Sequence, residues 1–146
     1  MTTLNAAANM SGSNAASAAA GSYRILVVDD NRDAALSLAM LLKLTGHQTQ
    51  MAHDGVEAVE KATAWVPDVV LLDIGLPRMN GYDVCRTIRE QAWGKNVAMI
   101  ALTGWGQDED RRKSEEAGFD GHLVKPVEHA SLVQTLAACK PAMNHS

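Results

Sequence analysis

The sequence predicts an α/β fold in which helices cover both faces of a parallel β-sheet. Three observations support this prediction: short aliphatic runs recur along the chain, segments with helical spacing separate them, and glycine, proline or capping residues stand at the junctions. Strands that alternate with helices of this length pair in parallel, because each helix returns the chain to the same end of the sheet. We therefore expect five βα units.

Five short runs are predicted to be the strands. They are RILVV (24–28), QTQMA (48–52), DVVLL (68–72), VAMIAL (97–102) and GHLV (121–124). The first and third are almost wholly apolar, which is typical of central strands that are buried on both faces. The second is the most polar, so we expect it at an edge of the sheet.

The segments between these runs are predicted to be helices because their apolar residues fall on one face. These residues are Ala35, Leu38, Ala39 and Leu42 in the first helix, Val56, Val59 and Ala62 in the second, Val84 and Ile88 in the third, and Leu132 and Leu136 in the last. The segment DEDRRKSEEAG (108–118) is very polar, and we expect it to be largely exposed.

Residues that begin and end helices stand at the expected junctions. Gly46 and Gly118 follow the first and fourth helices, where a left-handed cap requires glycine. Asp54 and Glu57 have the spacing of a capping box at the start of the second helix, and Asn80 can cap the third. The helix boundaries therefore agree with the strand boundaries.

The chain of 146 residues is expected to contain one folded domain, at residues 23–139. Residues 1–22 carry no charged side chain and consist mostly of Ala, Asn, Ser and Gly, so they are predicted to be a disordered tail or linker. A cloning remnant is the alternative. Residues 140–146 are predicted to be a short C-terminal tail, so we expect no output module in this chain.

Composition argues against several classes of function. The net charge of −4 disfavours direct binding to nucleic acid, because there is no basic surplus to neutralise phosphates. No apolar run is long enough to cross a bilayer, and no secretory signal is evident. Cys85 and Cys139 have neither a metal-binding nor a redox spacing. We expect a cytoplasmic protein without membrane insertion.

Polar residues gather at the carboxyl ends of the predicted strands, where open parallel sheets hold their functional groups. Asp29 and Asp30 follow the first strand, Asp73 the third, Thr103 the fourth, and Lys125 with Pro126 the fifth. Each has an ordinary explanation by itself, as a helix cap, a turn residue or a solvated surface charge. Their coincidence at corresponding strand ends favours a functional site.

The chemistry of this group indicates a phosphoryl acceptor. Close carboxylates repel one another unless a cation intervenes, and Mg²⁺ is suited because it accepts a few carboxylates and keeps several waters. A carboxylate beside a metal ion, an ammonium and a hydroxyl can attack phosphorus while its neighbours neutralise the phosphoryl oxygens. The product would be an aspartyl phosphate.

Four stretches carry a resemblance to a known family. They are ILVVDD (25–30), VVLLDIGLPRMNGYD (69–83), ALTG (101–104) and HLVKPV (122–127). From about Arg24 to Ala138 the chain resembles the receiver domain of two-component response regulators. The stretch ALTGWGQDEDRRKSEEAGFDGHLVKP is similar to receivers attached to hybrid histidine kinases. The resemblance implies a flavodoxin-like (βα)5 fold with a doubly wound five-stranded sheet in the order 2-1-3-4-5.

The resemblance also implies a signalling function in which Asp73 accepts a phosphoryl group from a histidine kinase or a histidine phosphotransfer protein. Asp73 would become 4-aspartylphosphate. Asp30 would bind Mg²⁺ directly, Asp29 through water, and Gly75 through its backbone carbonyl, with Mn²⁺ as a substitute. We expect a phosphoacceptor with slow autodephosphorylation, not an enzyme that turns over a substrate.

The remaining roles concern the response to phosphorylation. Thr103 and Lys125 would contact the phosphoryl oxygens, and the bond before Pro126 would be cis. The switch residue, often Tyr or Phe in the family, is His122, for which a half-exposed position on strand five is an equal alternative. The surface from about residue 109 to 138 would then change and meet a downstream protein, whose identity the sequence does not give.

Two positions predict slow hydrolysis of the phosphoryl group. Trp105 stands where some receivers have a polar group that orients water, and Gly75 offers no side chain. The alternative is that Trp105 packs over the loop or meets a partner.

Three other functions fit these residues less well. A haloacid-dehalogenase-like phosphatase would need a second Asp at the position of Gly75, and no GxxxxGK loop supports a nucleotide-binding switch. The third is a degenerate receiver that ignores phosphorylation, which the five intact site residues disfavour.

Overall fold

The computed structural model of the protein describes residues 22–76, 79–104 and 111–139. Its strands are β1 (Arg24–Val28), β2 (Gln48–Ala52), β3 (Val69–Asp73), β4 (Ala98–Gly104) and β5 (Gly121–Lys125). Its helices are α1 (Arg32–Leu44), α2 (Gly55–Trp65), α3 (Gly81–Glu90), α4 (Arg111–Ala117) and α5 (His129–Cys139). A 3-10 helix that the sequence did not predict, Trp93–Asn96, lies between α3 and β4.

The five strands form one parallel sheet in the order β2-β1-β3-β4-β5, which confirms the predicted fold class. The polar strand β2 lies at an edge, as expected. Three strands end later than predicted because their ladders continue through polar residues. Asp73 pairs with Leu102, and Gly104 pairs with Lys125. Asp73, Thr103 and Lys125 therefore lie in the carboxyl-terminal ends of regular strands, and Asp29 and Asp30 directly follow β1.

The side chains of each strand alternate between two apolar layers. Ile25 and Val27 of β1 face the layer that includes α1 and α5, whereas Leu26 and Val28 face the layer of α2, α3 and α4. Every side chain of β3 is buried, as a central strand of a doubly wound sheet requires. This packing holds the ends of β1, β3 and β4 in a fixed register.

The predicted buried faces of α1, α3 and α5 are confirmed. The predicted face of α2 is wrong at Val56, which is 39% exposed, because the inward face consists of Gly55, Ala58 and Ala62 instead. A Cβ at Gly55 would clash with the backbone carbonyl oxygen of Met79. The close approach of α2 to this segment therefore requires small residues and turns Val56 outward.

The helix caps follow the sequence with two differences. Asn31, not the Asp pair, caps α1 by accepting a hydrogen bond from the amide of Ala34. Asp54 accepts from the amide of Glu57, but the Glu57 carboxylate returns to the amide of His53, one residue before the usual position of a capping box. Asn80 caps α3 as predicted.

The two glycines predicted to end helices have the expected backbone conformation. Gly46 and Gly118 have φ values of 96° and 108°, in the region that favours glycine. In the described part of α4, Ser114 and Ala117 face inward and the charged residues are exposed, which agrees with the predicted polar face. No helix among the described residues is long and apolar enough to span a membrane.

Candidate functional site

The register of the sheet brings Asp29 and Asp73 together. Val28 of β1 pairs with Leu72 of β3, and an aspartate follows each of these residues. Asp29 is 2% exposed and Asp73 is 8% exposed, whereas the neighbouring Asp30 is exposed. Each of the three offers a carboxylate oxygen, and these oxygens lie within 4.8 Å of one another. The carboxyl edge of the sheet thus holds a compact acidic cluster.

Lys125 reaches this cluster from the end of β5. Its Nζ donates to Oδ2 of Asp73 at 3.0 Å and to Oδ2 of Asp29 at 3.2 Å. The Lys125–Pro126 peptide bond is cis, as the resemblance implies. One ammonium therefore bridges two buried carboxylates, and the cluster keeps an excess of negative charge.

Backbone amides supply further hydrogen bonds to the two buried carboxylates. The amide of Asn31 donates to Oδ1 of Asp29 at 3.0 Å, and the amide of Gly75 donates to Oδ1 of Asp73 at 2.9 Å. Burial raises the pKa of Asp29, because the bond from the Asn31 amide and the contact with Lys125 do not fully offset the loss of hydration. The site is therefore short of positive charge.

The contacts with Asp29 and Asp73 also shift the pKa of Lys125. Burial would lower the pKa of Lys125, but hydrogen bonds and charge from Asp73 and Asp29 outweigh burial and raise it. The side chain therefore remains an ammonium at neutral pH. A fixed cation beside the carboxylates can also attract a phosphoryl group.

The donor set fits a hard divalent cation. All three side chains offer carboxylate oxygens, the ligands that Mg²⁺ prefers, and exposed Asp30 leaves room for bound water. Gly75 is exposed beside Asp73, and a Cβ there would lie 3.6 Å from Oδ1 of Asp73. The role of the Gly75 carbonyl as a ligand stays a prediction.

Thr103 is the penultimate residue of β4 and is 3% exposed. Its hydroxyl donates to the carbonyl oxygen of Leu123 at 3.4 Å, which is a long and weak hydrogen bond. His122 is half-buried on β5, where it pairs with Ala101. The switch roles of Thr103, His122 and Pro126 stay predictions, and Trp105 lies outside the described residues.

The family model of the response regulator receiver domain matches residues 25–137 of the chain. The chain belongs to this family. Response regulator MprA of Mycobacterium ulcerans is 38% identical over 117 residues, which are 80% of this chain and 50% of that protein. The chain thus spans about half the length of the relatives it matches.

Solved receiver structures have the same fold. The Vibrio cholerae chemotaxis protein CheY4 has a TM-score of 0.76 at 29% identity, covering 81% of this chain and 98% of its own. The receiver domain of the sensor histidine kinase PA1611 from Pseudomonas aeruginosa has a TM-score of 0.73 at 33% identity, covering 80% of this chain and 96% of its own. That structure holds a magnesium ion in its active-site cleft.

The receiver domain also places a residue beside the acidic cluster that sequence reasoning missed. His53 directly follows β2, and its Nδ1 lies 3.1 Å from the backbone carbonyl oxygen of Asp29. The sequence signal for His53 is its position directly after the carboxyl end of β2, the strand for which no site residue was predicted.

A largely apolar hollow of about 710 Å³ opens next to the site. Leu38 and Leu41 of α1 line it together with Pro126 and Val127, and Asp29 and Lys125 also border it.

Proposed function

We propose that this receiver domain accepts a phosphoryl group on Asp73, in a reaction that requires Mg²⁺, from a phosphohistidine of a histidine kinase or of a histidine phosphotransfer protein. The observation that carries the proposal is the cluster itself: three carboxylate oxygens within 4.8 Å, with Lys125 bridging two of them. Membership of the receiver family supports the same conclusion.

The residues divide the chemistry between them. Asp29, Asp30, Asp73 and the carbonyl of Gly75 would hold Mg²⁺, and the bound ion would neutralise charge on the phosphoryl oxygens. A carboxylate oxygen of Asp73 forms the new bond to phosphorus while the bond from phosphorus to the imidazole nitrogen breaks. The phosphohistidine ring carries a proton on its other nitrogen, so the nitrogen that keeps the electron pair leaves as part of a neutral histidine.

Lys125 and Thr103 would respond to the new group. The Lys125 ammonium, now 3.0 Å from Oδ2 of Asp73, would move its contact to a phosphoryl oxygen. The Thr103 hydroxyl would give up its weak 3.4 Å hydrogen bond to the Leu123 carbonyl and donate to a phosphoryl oxygen instead, with little loss of free energy. This movement would release His122 of β5 to change position and alter the surface around α4, β5 and α5.

The partners and setting follow from this role. The hollow between α1 and Val127 would receive the phosphodonor protein, and the α4–β5–α5 surface would meet an unidentified downstream protein. The net charge of −4 supports a protein partner rather than nucleic acid. We propose a cytoplasmic location without membrane insertion.

The phosphoryl group is proposed to be long-lived. Gly75 lies beside Asp73 without a side chain that could orient water, and Trp105 follows β4 in the sequence. Replacement Trp105→Glu is expected to speed hydrolysis, measured by loss of the phosphorylated mass with time. A wild-type lifetime of only seconds, unchanged in Trp105→Glu, would contradict this part of the proposal.

The main test uses a small phosphodonor. Acetyl phosphate with Mg²⁺ should add one phosphoryl group to the wild type and to Asp68→Asn, detected by intact-protein mass, but none to Asp73→Asn. Chelation should abolish the reaction, and Mn²⁺ should restore it. Absence of modification in the presence of Mg²⁺ would favour the degenerate receiver, and turnover of small phosphomonoesters would favour the phosphatase.

A further inference from the structure

We infer that His53 is a positioning residue that fixes the peptide unit between Asp29 and Asp30 and thereby sets the affinity of the site for Mg²⁺. The inference rests on the proposed function, since it concerns the same metal site. It is carried by a hydrogen bond from the His53 side chain to the carbonyl oxygen of Asp29, in the peptide unit that joins two proposed metal ligands.

The contact continues the ladder between β1 and β2 past its regular end. The amide of Asp29 donates to the carbonyl of Ala52 at 3.1 Å, which closes the ladder. One step further, Nδ1 of His53 lies 3.1 Å from the carbonyl oxygen of Asp29. Because a carbonyl oxygen can only accept, Nδ1 carries the hydrogen and donates it.

Holding this carbonyl oxygen restrains the next residue. The peptide unit is planar, so a fixed oxygen at Asp29 also fixes the direction of the bond that leads to Asp30. Asp30 has an exposed side chain and lies before the start of α1 at Arg32. The His53 ring therefore restrains the backbone from which a proposed direct ligand projects.

The backbone of His53 is held by α2. The amide of His53 donates to Oε1 of Glu57 at 2.8 Å, and Oε2 of Glu57 lies 3.3 Å from Nζ of Lys61. Lys61 in turn donates to the carbonyl of Met51 at 2.6 Å. The first turns of α2 thus hold the backbone that leads into His53, and from this backbone the ring reaches the carbonyl oxygen of Asp29.

Two substitutions at His53 distinguish the effect of losing the hydrogen bond from the effect of losing side-chain volume. His53→Ala removes the donor, and we expect it to weaken Mg²⁺ binding about tenfold, the lower end of what loss of an outer partner costs a metal site. His53→Asn keeps an N–H donor close to the position of Nδ1. We therefore expect its Mg²⁺ affinity to stay within about threefold of wild type, a change no larger than the net contribution of one hydrogen bond. Calorimetric Mg²⁺ titration measures both.

His47→Ala is the matched control. His47 is another half-buried histidine, but it precedes β2 at the opposite end of the sheet, where its Nδ1 accepts from the amide of Tyr23. His47→Ala should destabilise the fold and leave Mg²⁺ affinity unchanged. An equal weakening in His47→Ala, normal binding in His53→Ala, or no recovery in His53→Asn would each overturn the inference.

A second measurement needs no metal. Backbone ¹⁵N order parameters at Asp30 and Asn31, recorded without Mg²⁺, should fall in His53→Ala and return in His53→Asn. If wild-type protein takes up no Mg²⁺, the proposed function fails, and the order parameters still decide whether His53 restrains the backbone. Unchanged order parameters in His53→Ala would overturn that restraint.

Discussion

Two aspartates at the two ends of one strand have opposite surroundings. Asp68 precedes β3 and is 0% exposed, yet its side chain accepts from the amide of Arg24 at 2.9 Å, and its backbone bonds to both neighbouring strands. Asp73 ends β3, and its one cationic partner among the described residues, Lys125, is shared with Asp29. A buried carboxylate with dedicated partners stabilises the fold, whereas one that shares its cation leaves a deficit of positive charge.

Arg89, at the amino edge of the sheet, is a second charged side chain whose partners all belong to the fold. Its guanidinium donates to the carbonyls of Gly94, Val97 and Gly118 at 2.9, 2.6 and 2.7 Å, and to Asp120 at 2.8 Å. Asp120 also accepts from the amide of Met99. This network ties α3, the 3-10 helix, β4 and the end of α4 together. It has no excess charge, so it serves the fold and not a ligand.

We expect the largest loss of stability from a substitution that removes the Arg89 network at the amino edge of the sheet. Arg89→Met leaves several partly buried carbonyls without a donor, and we expect a loss of about 3 kcal/mol in the free energy of unfolding. Arg86→Met, on the exposed face of the same helix with only Asp83 as an ion-pair partner in the described structure, should cost less than about 0.5 kcal/mol. Urea unfolding measures both. Mg²⁺ should not restore the Arg89 variant, and restoration would contradict the comparison.

We expect the next largest loss of stability from a substitution at Lys125, at the carboxyl edge of the sheet. Lys125→Met leaves Asp29 and Asp73 side by side without their shared ammonium, and we expect a loss of about 2 kcal/mol in Mg²⁺-free buffer, less than for a fully buried pair because Lys125 is partly exposed. Added Mg²⁺ should recover much of this loss, as should the second substitution Asp29→Asn. An equal loss with and without Mg²⁺ would show that the edge does not hold the ion.

A direct comparison of the two aspartates should give a smaller difference. Asp68→Ala leaves the partly buried amide of Arg24 without its acceptor and should cost about 1–2 kcal/mol in the free energy of unfolding. Asp73→Ala should cost less than about 1 kcal/mol, because it also removes repulsion with Asp29 and leaves Lys125 paired to Asp29. Urea midpoints in Mg²⁺-free buffer test the order, and the reverse order would break the comparison.

Much of the fold was predictable because local patterns and tertiary structure agree. The apolar runs of β1 and β3 require burial on both faces, and Gly46 and Gly118 mark the ends of two helices. The meeting of Asp29 with Asp73 was predictable because parallel strands bring their carboxyl ends to one edge. The chemical roles of these residues remain predictions.

The remaining features depend on contacts that no local pattern encodes. Arg89 and Arg86 lie one helical turn apart on α3 and have the same chemistry, yet only the packing of Gly94 and Gly118 near Arg89 gives it carbonyl partners. Val56 has the spacing of a core residue, but the close approach of Met79 to Gly55 decides which face of α2 turns inward. Distant parts of the chain determine both outcomes.

The smallest effect should be a pH dependence at the amino edge. His47 stacks on Tyr23 with ring centroids 5.6 Å apart, and its Nδ1 accepts from the amide of Tyr23 at 3.1 Å, which requires an unprotonated nitrogen. Burial lowers the pKa of His47 from 6.5, so the unfolded chain takes up a proton more readily than the folded one as pH falls. The stabilisation is therefore complete above the unfolded value and is lost as pH falls towards the folded pKa. Urea midpoints between about pH 7.5 and 5 should fall more steeply for wild type than for His47→Gln, and parallel curves would show that the stack does not sense protonation.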